Sequence, residues 1–144
     1  MTDPKLEALL RRHEGVRLRP YRDSVGKLTI GVGRNLDDVG ITPDEATVLL
    51  RNDIDRTGAG LDAALPWWSS LEPARRRVLM DMAFNLGVPG LLAFKLTLAA
   101  VRDGCFAEAA DRMLQSRWAT QVGERAKEMA AAMRTGVDAK APRA

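Results

Sequence analysis

Glu14 is followed nine residues later by Asp23, and Thr29 stands a little beyond. Two carboxyl groups held in different environments are the machinery of glycoside hydrolysis. One gives a proton to the leaving oxygen, and the other stays ionised across the sugar. Glu14 directly precedes Gly15, so its carboxyl is expected at the C-terminal end of an opening helix. The negative pole of the helix dipole favours the protonated form there, which is the form a general acid needs. Asp23 lies between Arg22 and Ser24, a polar setting expected to keep it ionised, and the Thr29 hydroxyl is placed to hold a water near it. The three residues alone are not specific. A chain with 19 Asp+Glu contains many such pairs, and a surface ion pair for Glu14 with a turn cap for Asp23 is the plainer account of them.

The elements that must position these groups are legible. Asp3-Pro4 reads as an N-cap and first helical residue, Leu6, Leu9, Leu10 and His13 fall on one helical face, and Gly15 stops the helix. Residues 16–35 interleave apolar with polar positions and carry Gly26, Gly31 and Gly33. That pattern predicts a short antiparallel hairpin or meander, with turns near Ser24–Gly26 and after Gly33. Thr42-Pro43-Asp44-Glu45 predicts a capping box opening a helix that runs toward Leu65. Gly58 and Gly60 interrupt it, either for close helix packing or for a bend between lobes. From Pro73 onward helices are expected at 73–86, 91–102, 106–114 and 122–134, with Met82, Met129 and Met133 in their apolar stripes as packing residues. The tail from Asp138 is expected to fray.

Composition sets the outer limits. The chain has 144 residues, 46% of them hydrophobic and 28% charged, which is a globular balance and not a disordered one. One cysteine, Cys105, and one histidine, His13, leave no internal disulfide and too few ligands for an ordinary zinc site; no metal or cofactor is expected. Residues 1–72 carry 10 Lys/Arg against 12 Asp/Glu, and residues 73–144 carry 12 against 7. The basic second half suits a polyanionic partner. No signal peptide and no apolar run of membrane-spanning length is visible, so the chain is expected to be made in the cytoplasm, without stable membrane insertion.

The wider string is more specific. His13-Glu14-Gly15, Arg17-Leu18-Arg19-Pro20-Tyr21-Arg22-Asp23 and Gly26-Lys27-Leu28-Thr29-Ile30-Gly31-Val32-Gly33 resemble the lysozymes of tailed bacteriophages, the endolysins of glycoside hydrolase family 24. The resemblance continues through Ile41–Ala46, Phe84-Asn-Leu-Gly87, Ser116-Arg-Trp118, Arg125-Ala-Lys127 and Arg134-Thr-Gly136. It implies an α+β, mainly α, lysozyme-like two-lobed fold: a single domain with a small β-hairpin lobe at about 12–41, a connecting helix at about 42–65, and a helical lobe at about 66–136 on which the first helix packs. It also implies a muramidase that cuts the β-1,4 bond between N-acetylmuramic acid and N-acetylglucosamine and lyses the bacterial host. Glu14 would be the general acid, Asp23 the general base or electrostatic partner, and Thr29 the residue that positions the water. Phe84, Asn85 and Thr97 would meet the glycan, Arg125 would pair with the catalytic glutamate, and Trp118 would pack in the core. The implied partner is bacterial peptidoglycan, reached by a monomer that leaves the host cytoplasm through a holin; no nucleic-acid partner is implied.

The sequence departs from the family in three places. Arg34 stands where the family usually has histidine after Gly-x-Gly, and an Arg34–Asp53 pair is a candidate replacement for the His–Asp contact of some members. The stretch from Arg34 to Ile41 is shortened, and Arg112 occupies the position of a substrate-touching asparagine. Other motifs read more plainly. Arg75-Arg76-Arg77 is expected to be a solvated helix face, Trp67-Trp68 a packing pair, His13 a packed or cleft-rim residue, and Cys105 a buried small group. Two rival readings remain at this stage: a lytic transglycosylase on the same substrate, and a non-catalytic basic module that binds glycan or nucleic acid.

Overall fold

The opening helix forms as its sequence dictates. In a computed structural model that describes residues 1–138, the Asp3 side chain accepts the Leu6 N–H at 3.1 Å and Pro4 begins α1 (Pro4–Glu14). Gly15 closes the helix with φ +78° and returns its N–H to the Arg11 carbonyl. The expected fraying of the tail concerns residues outside the described ones, apart from Asp138 itself, which Arg77 holds through both carboxylate oxygens at 2.9 and 2.7 Å. The described residues are 65% helical with one small antiparallel sheet near the N-terminus, an α+β, mainly-α, lysozyme-like fold.

The chain divides into two compact units, Met1–Leu49 and Leu50 onward. The first contains α1 and a three-stranded sheet in the order β1 (Arg17–Arg22), β2 (Leu28–Gly31), β3 (Arg34–Asn35). Tyr21 pairs with Thr29, and Thr29 with Asn35. Pro20 lies on the edge strand, where its missing N–H costs no ladder bond. The second turn comes earlier than expected. Val32-Gly33 makes it, and the chain re-enters the sheet at Arg34.

The capping box that opens α2 (Pro43–Ala64) is closed in both directions: the Glu45 N–H reaches Thr42 Oγ1 at 3.1 Å, and the Thr42 N–H reaches Glu45 Oε1 at 2.9 Å. The helix starts in the first unit and ends in the second without a break. Of its two glycines Gly60 serves close packing, while Gly58 leaves room for a methyl group. A Cβ on Gly60 would lie 3.0 Å from Val88 Cγ2, and one on Gly58 would lie 3.6 Å from Met80 Cε.

The second unit continues through a 3-10 turn at Trp68–Ser70, α3 (Pro73–Leu86), α4 (Val88–Leu92), α5 (Lys95–Arg102), α6 (Phe106–Leu114), α7 (Arg117–Val122) and α8 (Glu124–Thr135). Two expected separators are largely helical. Gly87, at φ +77°, turns the chain, and Pro89 fits the first turn of α4, where no N–H donor is needed. Ser116 caps α7 by accepting the Ala119 N–H at 3.2 Å, and Gly123 divides α7 from α8. The core is formed by Leu79, Met82, Leu91, Met113 and Met133, all sealed from solvent, with Trp67 and Trp68 packed partly buried against it. Cys105 is not a core residue. It is the N-cap of α6, and its thiol is exposed because the cap lies outside the helix's apolar stripe.

Candidate functional site

Three of the expected site residues stand in the first unit. Glu14 is the last residue of α1, and its carboxyl lies against the turn between β2 and β3. Atoms of its side chain approach Gly33 so closely that a Cβ there would be 3.0 Å from Glu14 Oε2.

Asp23 follows β1 and builds the next turn. Its Oδ1 accepts the N–H of Val25 at 2.9 Å and of Lys27 at 2.8 Å. Its own N–H donates to the Lys27 carbonyl, and its carbonyl accepts from Gly26, whose φ of +84° suits the bend. The plainer reading, a turn cap, thus describes one oxygen of this carboxylate. Oδ2 makes no hydrogen bond among the described residues and keeps its lone pairs for another group.

Thr29 lies on the central strand and is only 3% exposed. Its hydroxyl donates to the Lys27 carbonyl at 2.9 Å. With the proton committed, Oγ1 presents lone pairs and can accept from a water. Strand alternation puts Thr29 and Lys27 on one face, and Asp23 extends the same ladder.

This hairpin is pinned by carboxylates that the sequence reading did not single out. Asp37 Oδ2 accepts the Leu28 N–H at 2.8 Å, and Asp38 binds Lys27 Nζ at 3.0 Å. Arg34 pairs with Glu45, not with Asp53. Its guanidinium donates to Glu45 Oε1 at 2.8 Å and to the Gly40 carbonyl at 3.1 Å, while Asp53 takes Arg56. The short connection from Arg34 to Ile41 explains the change, because it brings the start of α2 within reach of the strand. The hydrogen bond from Arg34 and the Thr42 amide hold the Glu45 carboxyl down at about 2, and the same bond raises the guanidinium still further.

The second unit holds the other four residues. Phe84 and Arg125 line one hollow of about 260 Å³, together with Leu50, Ile54 and Met80. The carboxylate that Arg125 holds is Asp81, with Nε to Oδ1 at 2.9 Å. Asn85, an exposed residue, uses its side-chain carbonyl to accept the Trp118 indole N–H at 3.0 Å. Trp118 is a core residue, 3% exposed, and stands edge-on to Phe94 at 6.5 Å. Phe94 and Thr97 line a second hollow of about 330 Å³ with Lys95, Arg112 and Ser116. Arg112 is partly neutralised there by Glu108 at 3.1 Å. Among the described residues no group of His, Cys, Asp and Glu side chains gathers to hold a metal ion, and no helix is long and apolar enough to cross a membrane.

Comparison with known proteins gives one consistent family. The sequence pattern described as phage lysozyme matches residues 11–134. The pre-baseplate central spike protein Gp5 of Enterobacteria phage T4 is 29% identical over 156 residues, which cover 89% of this chain and 27% of that protein. The probable T4-type lysozyme 1 of Dictyostelium discoideum is 25% identical over 160 residues, covering 91% of this chain and 94% of its own length. An endolysin of Acyrthosiphon pisum secondary endosymbiont phage 1 is 32% identical over 84 residues, 56% of each chain. The chain therefore spans about a quarter of the spike protein and nearly all of the Dictyostelium lysozyme.

Proposed function

The chain belongs to the phage lysozyme family, and from that premise we propose that it is a muramidase that hydrolyses the β-1,4 bond between N-acetylmuramic acid and N-acetylglucosamine in bacterial peptidoglycan. The observation that carries this reading is the contrast between the two carboxyl groups on the first unit. The Glu14 carboxyl makes no hydrogen bond among the described residues, and the residue is exposed at the end of its helix. Asp23 is fixed by two amides through one oxygen.

In this account Glu14 protonates the glycosidic oxygen as the bond to the anomeric carbon breaks. A water adds to that carbon, and its proton passes to Asp23 through the free Oδ2. The Thr29 Oγ1, its own hydrogen engaged, accepts one water hydrogen and so aims an oxygen lone pair at carbon. Phe84, the Asn85 amide and Thr97 supply contacts to the glycan. Release from the host cytoplasm through a holin and lysis of the host complete the proposal, with a monomer as the acting form.

The products test it. Peptidoglycan digested by the protein is expected to yield fragments with hydrated reducing ends by mass spectrometry. Anhydro ends would replace hydrolysis by transglycosylation, and no fragments alongside retained wall binding would make the chain a binding module.

A further inference from the structure

Gly31 and Gly33 bracket the turn between β2 and β3 with nearly equal backbone angles, φ +70° and +69°. Both φ values lie in the left-handed region that disfavours an L side chain. Their surroundings differ. A Cβ on Gly31 would meet nothing within 4 Å, whereas one on Gly33 would lie 3.0 Å from Glu14 Oε2, 3.1 Å from Cδ and 3.3 Å from Cγ. The hydrogen face of Gly33 is thus the surface against which the Glu14 carboxyl rests.

We propose that Gly33 is a positioning residue for the general acid: the missing side chain defines where the Glu14 carboxyl stands. The proposal rests on the muramidase reading for its kinetic consequence, though not for the contact itself. A methyl group at Gly33 is relieved most cheaply by moving the atoms that move most easily. Those are the end of the exposed Glu14 side chain, because Gly33 sits in the short turn closed by the Ile30–Arg34 pair of the β2–β3 ladder. The fold is spared and the reacting oxygen is displaced. Misplacement of a reacting group by about 1 Å can cost on the order of 100-fold in rate.

The paired variants Gly33→Ala and Gly31→Ala separate this effect from backbone strain. Both are expected to lower Tm by similar amounts. On solubilised peptidoglycan, Gly33→Ala is expected to lose kcat by at least about 10-fold more than Gly31→Ala, with KM within about 2-fold of wild type. In a Glu14→Asp background, where the side chain is one methylene shorter, adding Gly33→Ala is expected to cost much less. The side-chain carboxyl carbon of Glu14, followed by NMR, is expected to shift in Gly33→Ala and to stay in place in Gly31→Ala. Equal kcat for the two glycine variants, or an unmoved Glu14 signal, would overturn the proposal. A wild-type protein inert toward peptidoglycan would instead sink the muramidase reading, and the Glu14 signal would still decide whether Gly33 sets the carboxyl's place.

Discussion

One oxygen of Glu45 holds two donors, the Arg34 guanidinium and the Thr42 amide, and so ties β3 to the first turn of α2. The direction of the pH effect follows from the depressed value. A carboxyl held at about 2, against an ordinary 4.5, contributes stability above its ordinary range. That contribution is lost as the pH falls through about 2. Arginine keeps its charge at high pH, so the pair has no neutral-side weakness of the kind a histidine would give. The carboxyl-carbon titration of Glu45 is expected to move up toward 4.5 in Arg34→Gln, with the Thr42 amide retaining part of the depression. An unchanged midpoint would show that Arg34 is not its cause. Both side chains are more than a third exposed, so the effect belongs to local order in this turn more than to global stability. The Thr42–Glu45 box was legible because capping is written into four consecutive residues. Arg34's choice of Glu45 was not, because it depends on how a shortened connection folds back.

At the scale of elements, α3 and α8 are joined by Arg75, the least solvated member of the Arg75–Arg77 run. It is 7% exposed, donates from Nε to the Met133 carbonyl at 2.7 Å and from a terminal nitrogen to the Arg134 carbonyl at 3.1 Å, and binds Glu72 at 2.7 Å. Its guanidinium lies 3.6 Å over the Phe106 ring. The last carbonyls of α8 have no partner within their own helix, so this side chain serves as their cap. Gly136 lies bare beside it at φ +72°, a conformation that L side chains rarely adopt, and a Cβ there would come 2.5 Å from Glu72 Oε2 and push that exposed side chain aside. The expected solvated face is therefore corrected for Arg75. Its partners lie 58 and 59 residues away, beyond the reach of any local pattern. Arg75→Ala is expected to destabilise the protein by about 2–4 kcal/mol, through the buried Met133 carbonyl left unpaired, the lost bond to the half-buried Arg134 carbonyl and a lost cation–π contact. A thermal melt checks this, with activity per folded molecule unchanged; a Tm equal to wild type would contradict it.

Across the whole molecule, the two units divide the physical work. The first is built from turns and charge pairs, with Thr29 its one fully buried residue. It carries Glu14, Asp23 and Thr29, to which the proposed mechanism gives the proton transfer. The second is a packed helical core whose surface hollows hold Phe84, Thr97 and Arg125. The first was readable as a helix, strands and turns because Glu14, Asp23, Thr29 and their glycines fall in one short stretch, where spacing constrains the local backbone. The second was readable as helices but not as a surface. Asp81 behind Arg125, and Trp118 behind Asn85, meet their partners only after the helices pack.

Proton donation by Glu14 is the step on which the account depends, and Glu14→Gln isolates it. The amide matches the carboxyl in size, so it can rest against Gly33 as before, but it has no acidic proton to give. Lysis of outer-membrane-permeabilised bacteria, followed by turbidity, is expected to fall by at least about 100-fold relative to wild type, with an unchanged thermal melt. Equal lysis by the two proteins would contradict it.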